Sequence, residues 1–323
     1  MEEVSKEIFA EKIIDFEWIP FTQTIAYCHS IVAPDTLHYF LNDSAQPQIG
    51  CVGYVRRKAG LKMLCVYGEC LKQIQSADRK QLTAFYQSLK ETGYDIYELN
   101  SSTPYHYDRE IALRRAGWLR PIGSYSTTLS KSINLCQQIT YDKSWKRNLQ
   151  KAHSEDLTFS VTAHPSSEQI TNYVKHHREL LQRKHFGGEL TIAGLAELFN
   201  DSDFRLCTIT TPQGEEVSGG IFYARKNNAA FMYSYTTARG RELSASYMLY
   251  ECIFRTLAEE GVASFDIGRL SPAAHNKDNL FLFKDGIDGD YVQYVGEWEW
   301  CRNGRLSALL YFLKNNIWKR VRV

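Results

Sequence analysis

Phe281-Leu-Phe-Lys-Asp-Gly286 sets one lysine between an aromatic residue and a glycine turn. The run that follows, Asp290-Tyr-Val-Gln-Tyr-Val-Gly-Glu-Trp-Glu-Trp300, alternates as a strand does. Lys284 is therefore expected near a strand edge, where its ammonium can face a cleft and meet an oxyanion or a phosphate. Phe283 would shield such a site. The plain alternative is a solvated lysine at a helix end, favoured by the helix dipole. Arg269 follows the expected strand Phe265-Asp-Ile-Gly268, and its planar fork suits a carboxylate or phosphate, or a salt bridge to Asp266. Asp108, in Pro104-Tyr-His-Tyr-Asp108, is an acid to test as a general base. The same aspartate also reads as an ordinary helix N-cap. Tyr105 and Tyr107 beside it are expected either to flank a peptide or sugar or to pack.

These residues need elements to position them, and the elements come twice. Gly53, Gly93 and Gly117 answer to Gly220, Gly261 and Gly286, and Tyr125 to Tyr294, at offsets of 167, 168, 169 and 169 residues. Each copy reads as a hairpin, a helix ended by glycine, a strand, a second helical segment and a final strand. The hairpins are Cys51-Val-Gly-Tyr-Val-Arg with Leu64-Cys-Val-Tyr, and Gly219-Gly-Ile-Phe-Tyr-Ala with Ala230-Phe-Met-Tyr-Ser-Tyr. The helices are expected over 77–92 and 244–260. Gly93 and Gly261 suit their C-terminal caps, where a left-handed backbone favours glycine. Arg115 stands where Lys284 does, one repeat earlier, and reads as a surface arginine. The second copy has three further helical segments, 144–152, 168–184 and 191–200. The pattern predicts an α/β (α+β, mixed-sheet) chain of two modules, residues 1–135 and 136–323, the second with extra helices and a C-terminal helix. The length suits two cores.

The chain has 38 basic and 37 acidic residues, a net charge of +1. No global field draws in a nucleic acid, and DNA is not an expected partner. RNA or diphosphate contact would need a local patch such as Arg147 and Lys151, with Lys143 and Lys146, or would find there only a solvated face. Eight cysteines without paired spacing exclude a recognisable metal site and point to buried free thiols in a reducing compartment. The charged N-terminus is unlike a signal peptide, and no apolar stretch nears the ~20 residues that span a bilayer. The expected location is cytoplasmic. The basic, amphipathic tail 310–323 either packs on the second module or rests on the inner face of an anionic membrane.

Several blocks resemble the FemABX-type peptidyltransferases, tandem GNAT-fold acyltransferases, along nearly the full chain. They are Trp18-Ile-Pro-Phe-Thr-Gln-Thr, Leu99-Asn-Ser-Ser-Thr-Pro104, Gly117-Trp118, Trp145-Lys-Arg-Asn-Leu-Gln-Lys-Ala152, Phe265-Asp-Ile-Gly-Arg269 and Phe283-Lys284. The turn at 99–104 lacks the family's acidic residue. The segment 168–184 is too short for the family's coiled-coil arm, so the resemblance is to the armless type. It implies transfer of an aminoacyl or similar acyl unit to an amine of a peptidoglycan-type, cell-envelope precursor, which can be lipid-linked. It implies no metal and no tightly bound cofactor, a charged tRNA or a coenzyme A thioester as donor, and a catalytic part for Phe283-Lys284. The alternatives are an acyl-CoA-dependent N-acyltransferase on the same fold and a catalytically inactive double module that binds a ligand. Tyr235 and Arg239, with Tyr233, would line the substrate route into the second helix. The loop Thr236-Thr-Ala-Arg-Gly-Arg-Glu-Leu-Ser244 has one glycine, a thin match to a pyrophosphate cradle, which weighs against acyl-CoA.

Overall fold

The computed structural model describes residues 1–74, 78–121, 129–185, 187–270, 280–313 and 316. Its contacts separate into two units, residues 1–129 with 292–323, and residues 130–291. Tyr125, paired with Tyr294 in the expected repeat, lies outside the described residues, as does most of the tail beyond 313.

The first unit begins with β1 (Glu2–Val4), α1 (Lys6–Ile13), α2 (Ile25–Ile31), β2 (Leu37–Leu41), β3 (Ile49–Lys58), β4 (Leu61–Val66) and β5 (Cys70–Leu71). It continues with α3 (Arg79–Lys90), β6 (Ile96–Pro104) and α4 (Tyr107–Arg115). Its sheet runs β1-β2-β3-β4-β6 and ends on β13 (Asp290–Cys301). β4 and β6 are parallel, joined by α3, while the other neighbours on this path are antiparallel. The α3 residues Leu82, Phe85, Tyr86 and Leu89 recur at helical spacing and are buried with Tyr97, Leu99 and Trp118. Burying a side chain of this size stabilises by ~1.5–3 kcal/mol.

The second unit contains β7 (Leu129–Asn134), α5 (Lys143–His153), β8 (Thr158–Thr162), α6 (Ser167–Lys184), α7 (Ile192–Leu198) and β9 (Phe204–Thr210). These lead to β10 (Glu216–Arg225), β11 (Asn228–Thr236), α8 (Ala238–Glu242), α9 (Ala245–Glu259), β12 (Ser264–Asp266) and α10 (Leu280–Asp285). Its sheet order is β7-β12-β11-β10-β9-β8. β11 and β12 are parallel across α9, as β4 and β6 are across α3. In α9, Leu249, Tyr250, Ile253 and Leu257 pack against Phe222, Phe231 and Phe265. Hairpin, crossover helix and parallel strand thus recur in the order expected. Gly53 and Gly220 fall on matching hairpin strands, and an added Cβ would approach Leu64 and Phe231 within 3.0 Å respectively. Gly93 and Gly261 have φ of +94° and +80°, as the cap reading requires.

The sequence divides the chain once, at 135/136. The contacts instead group 292–323 with the first unit, because β13 pairs antiparallel with β6 from Tyr294↔Pro104 to Cys301↔Ile96. The final strand of the first copy, β7, pairs with β12. Alternating patterns announce a strand but not its neighbour. The last helix, α11 (Gly304–Phe312), buries none of its residues and leaves Leu309 and Phe312 exposed.

Candidate functional site

The residues around Lys284 come from four elements of the second unit. Asp142 caps α5, accepting from Trp145 N–H at 2.6 Å, and its own N–H donates to Gly286 C=O at 2.9 Å. The cap fixes Trp145, which is buried and stacks on Tyr141 at 4.4 Å between centroids. The indole Nε1 donates to Phe283 C=O at 2.9 Å. The Phe283 ring sits 4.9 Å from Tyr247, 5.0 Å from Tyr250 and 5.5 Å from Trp145. Edge-on and tilted pairs at these distances each add ~0.5–1.5 kcal/mol beyond burial. Two blocks far apart in sequence, Trp145-Lys-Arg-Asn and Phe283-Lys284, therefore meet. An added Cβ on Gly286 would lie 2.8 Å from Asp142 Oδ2 and 3.0 Å from Trp145 Cδ1, so any larger residue must displace those side chains.

That clamp holds Lys284 in the last turn of α10. The lysine is 6 % exposed, which corrects the solvated-lysine alternative. Its Nζ donates to Arg269 C=O at 3.0 Å. It also lies beside Gly268, whose φ of +83° turns the chain away after β12. Burial pushes the ammonium down to about 8, with the Asp266 carboxylate opposing. Burial raises the Asp266 carboxyl in turn, against hydrogen bonds from the Ser130 hydroxyl and, at 2.7 Å, the Gly268 N–H. The Arg269 side chain is exposed, and its carbonyl accepts from Lys284.

A second buried lysine adjoins this one, and sequence reasoning missed it. Lys131 on β7 is 4 % exposed. Its Nζ donates to Asp285 C=O at 3.0 Å and lies 5.0 Å over the Tyr291 ring, whose hydroxyl bonds Asp285. A cation on the last carbonyls of a helix suits the end of the macrodipole, so Lys131 steadies the turn that bears Lys284. The available signal was phase: Lys131 shares its strand face with the buried Ile133.

The parallel strands part here. Their pairing stops at Ala229↔Phe265 and Ala230↔Asp266, though β11 continues to Thr236. Met232 is then an extra residue, because Phe222 faces Phe231 while Ile221 faces Tyr233. A bulge re-aims the following side chains and leaves one residue outside the ladder. Phe231 accordingly meets Tyr250 of α9, whereas Tyr233 and Tyr235 meet His177 and Tyr173 of α6.

Other expected residues fall elsewhere. Tyr235 is buried, with its hydroxyl donating to Glu216 at 3.1 Å. Arg239 is exposed and pairs with Glu242 at 3.0 Å. Arg147 and Lys151 lie with Lys143 and Lys146 on the exposed side of α5. Asp108 belongs to the first unit, ion-paired with Arg79, and the N-cap of α4 is His106 rather than Asp108. Tyr105 and Tyr107 are exposed; Tyr105 bonds Glu110, and Tyr107 lies on the His106 ring at 4.2 Å. Arg115 is exposed. Seven of the eight cysteines are buried, Cys136 is exposed, and none forms a disulfide. Among the described residues no group of three metal-ligating side chains comes together, and no helix is long and apolar enough to cross a membrane.

Residues 141–278, which include Trp145 and the splayed strands and end before Phe283 and Lys284, match the family model of the acetyltransferase (GNAT) domain. By sequence, no curated protein matches the chain. Among solved structures, FemX is similar at a TM-score of 0.75 and 11% identity, over 96% of this chain and 100% of that one. L-PGS from Bacillus licheniformis is similar at 0.64 and 13%, over 98% of each chain. A tandem GNAT protein from the clavulanic acid biosynthesis pathway is similar at 0.52 and 8%, over 92% and 93%. The resemblance read from the short blocks is thus met in the fold: the chain has the tandem GNAT fold, and residues 141–278 of its second unit match the acetyltransferase (GNAT) domain.

Proposed function

We propose that the chain moves an aminoacyl or similar acyl group from an activated ester or thioester to an amine of a cell-envelope, peptidoglycan-type precursor, with Lys284 supplying positive charge where the carbonyl oxygen becomes an oxyanion. The observation that carries this is the burial of the Lys284 ammonium behind the Trp145–Phe283 clamp, next to Gly268, where β11 and β12 separate. A charge held in a dry, fixed place stabilises a developing oxyanion without reorganising, and one such donor is worth ~3 kcal/mol. Lys131 and Asp266 support the role, the first by holding the turn, the second by favouring the charged form. The cell-envelope acceptor rests on the short sequence blocks and on the likeness to FemX.

The favoured donor is charged tRNA. The loop where a pyrophosphate cradle would lie forms α8, and Gly240 is pressed against Val217, leaving 2.0 Å between an added Cβ and Val217 O. That glycine is used for packing. The exposed cations Arg147 and Lys151 on α5 suit phosphodiester oxygens. A coenzyme A thioester is the second reading, supported by the acetyltransferase domain match and by the start of α9, which no side chain caps.

The test is turnover by the purified chain with charged tRNA or acetyl-coenzyme A and a nucleotide-linked muropeptide. Transfer from the tRNA ester, lost in Lys284→Ala, is the expected result. Transfer from the thioester alone selects the second reading. Unaltered turnover in Lys284→Ala removes the lysine's role, and binding without turnover favours an inactive double module.

A further inference from the structure

Three side chains on α6, Tyr173, His176 and His177, each bury a polar atom that makes no hydrogen bond. Tyr173 is 1 % exposed and its hydroxyl has no partner; His177 is 7 % exposed and its Nδ1 has none. One helical turn apart, they share a face, and their rings stack at 6.1 Å. Each unpaired buried polar group costs stability that an apolar ring of the same shape would not. Burial alone lowers the His177 imidazole below its ordinary value and leads the causes that raise the Tyr173 phenol. Burial thus favours the neutral imidazole, whose unbonded ring nitrogen is an acceptor in one tautomer.

Their position ties them to the proposed reaction. The rings they face belong to Tyr233 and Tyr235, the two tyrosines that the Met232 bulge turns toward α6. Two residues earlier on β11, the Phe231 carbonyl lies beside Gly268 and the Lys284 ammonium. A strand rises ~3.4 Å per residue, so Tyr233 is about 7 Å along β11 from that point. Of the nearby ionisable groups, Glu216 accepts from the Tyr235 hydroxyl, and His176 lies 3.5 Å from Glu179, its Nδ1 making no hydrogen bond.

We propose that His177 and Tyr173 form an amine subsite in the second unit, where His177 takes the proton of the attacking amine and the Tyr173 hydroxyl orients it. The proposal rests on the acyl-transfer reading of Lys284. The amine lone pair forms the N–C bond as the carbonyl electrons move to oxygen. The proton on the new ammonium passes to the imidazole. The oxyanion then re-forms C=O, the bond to the leaving oxygen or sulfur breaks, and the imidazolium returns its proton to that atom.

The test uses the full chain with Tyr173→Phe and His177→Phe. Both variants should melt at or above the wild-type temperature, since each removes an unpaired polar group. A clear fall in both would make the groups structural and overturn the proposal. With acetyl-coenzyme A or charged tRNA as donor and L-lysinamide as amine, His177→Phe should lower kcat 100-fold or more, shift the acid limb of the pH profile and leave donor KM unchanged. An unchanged rate in His177→Phe beside a lost rate in Lys284→Ala overturns the subsite alone. The reverse pair of results would remove Lys284 and keep the subsite. If neither donor turns over, nuclear magnetic resonance titration with L-lysinamide decides. A moving ring signal, assigned by its loss in His177→Phe, supports the subsite, and an unmoved one overturns it.

Discussion

Where their parallel strands part, the two units bury opposite charges. In the first, β4 leaves β6 after Val66↔Leu99, and Glu69, 1 % exposed, turns inward there. Its carboxylate accepts from the hydroxyls of Tyr86, Ser101 and Thr103, at 2.7 Å for Ser101 and 3.2 Å for Thr103. Leu99, Ser101 and Thr103 alternate onto one face of β6, so the hydroxyls fall where β4 has gone. In the second, the gap left after Ala230↔Asp266 leads to Gly268 and the Lys284 ammonium, which donates to the Arg269 carbonyl. Three donors saturate Glu69, and a saturated polar network rigidifies. Lys284 keeps two of its three N–H donors for something else. A duplicated fold can thus hold one splay shut and leave chemistry to the other.

The largest effect should come from the ammonium. Lys284→Met is expected to lower kcat by 10²–10³, about the value of one oxyanion donor, measured as initial rate with either donor. A loss under tenfold would equate the two splays. The stability effect should run the other way in the first unit. Glu69→Ala strands three hydroxyls and should cost ~2–3 kcal/mol by urea unfolding, with the rate per folded molecule unchanged. Loss of rate without loss of stability would give the first splay a catalytic part.

Why one splay was legible in the sequence and the other was not follows from where their partners lie. Phe283-Lys284-Asp-Gly286 is a local block, and the helices beside it carry local signals, such as the Ser166/Gln169 capping box of α6 and the Asp142 cap of α5. Glu69 sits in Tyr67-Gly-Glu-Cys70, which reads as a turn; its partners come from α3 and β6, up to 34 residues away. Trp145 and Phe283 are 138 residues apart. Nothing in either stretch encodes that pairing, which packing of whole elements decides. Strand exchange by β7 and β13 was hidden for the same reason, and so was the bulge at Met232, a matter of register between β10 and β11.

A third measurement sharpens the contrast through pH. The Lys284 ammonium sits at about 8 in the folded chain against an ordinary 10.5. Below about pH 8 both states hold the proton, and burial of the charge costs its full amount. Between 8 and 10.5 the folded state releases the proton first, the unfolded state binds more, and stability rises with pH. Lys284→Met should therefore be more stable than the wild type near pH 7 by on the order of 1–3 kcal/mol, with the difference shrinking as pH climbs through that window. A constant difference from pH 7 to 10.5 would mean that the ammonium is solvated.

The smallest expected effects fall on two glycines that occupy the same place in the repeat for different reasons. Gly117 ends α4 with φ at +78°, and the nearest atom to an added Cβ is the flexible end of Lys90, at 3.6 Å. Gly117→Ala should cost ~1 kcal/mol for the left-handed backbone and leave the rate alone. Gly286 has no such backbone; its Cβ would press on Asp142 Oδ2 and Trp145 Cδ1. The carboxylate can rotate and the indole can tilt, so Gly286→Ala should also cost only ~1 kcal/mol. Tilting the indole, however, loosens its hydrogen bond to Phe283 C=O and with it the turn that carries Lys284. A loss of kcat in Gly286→Ala at nearly unchanged stability, beside an active Gly117→Ala, would separate a glycine that lets a helix end from one that lets a clamp close. Equal rates in the two would mean that the Trp145–Phe283 contact packs the domain without setting the lysine.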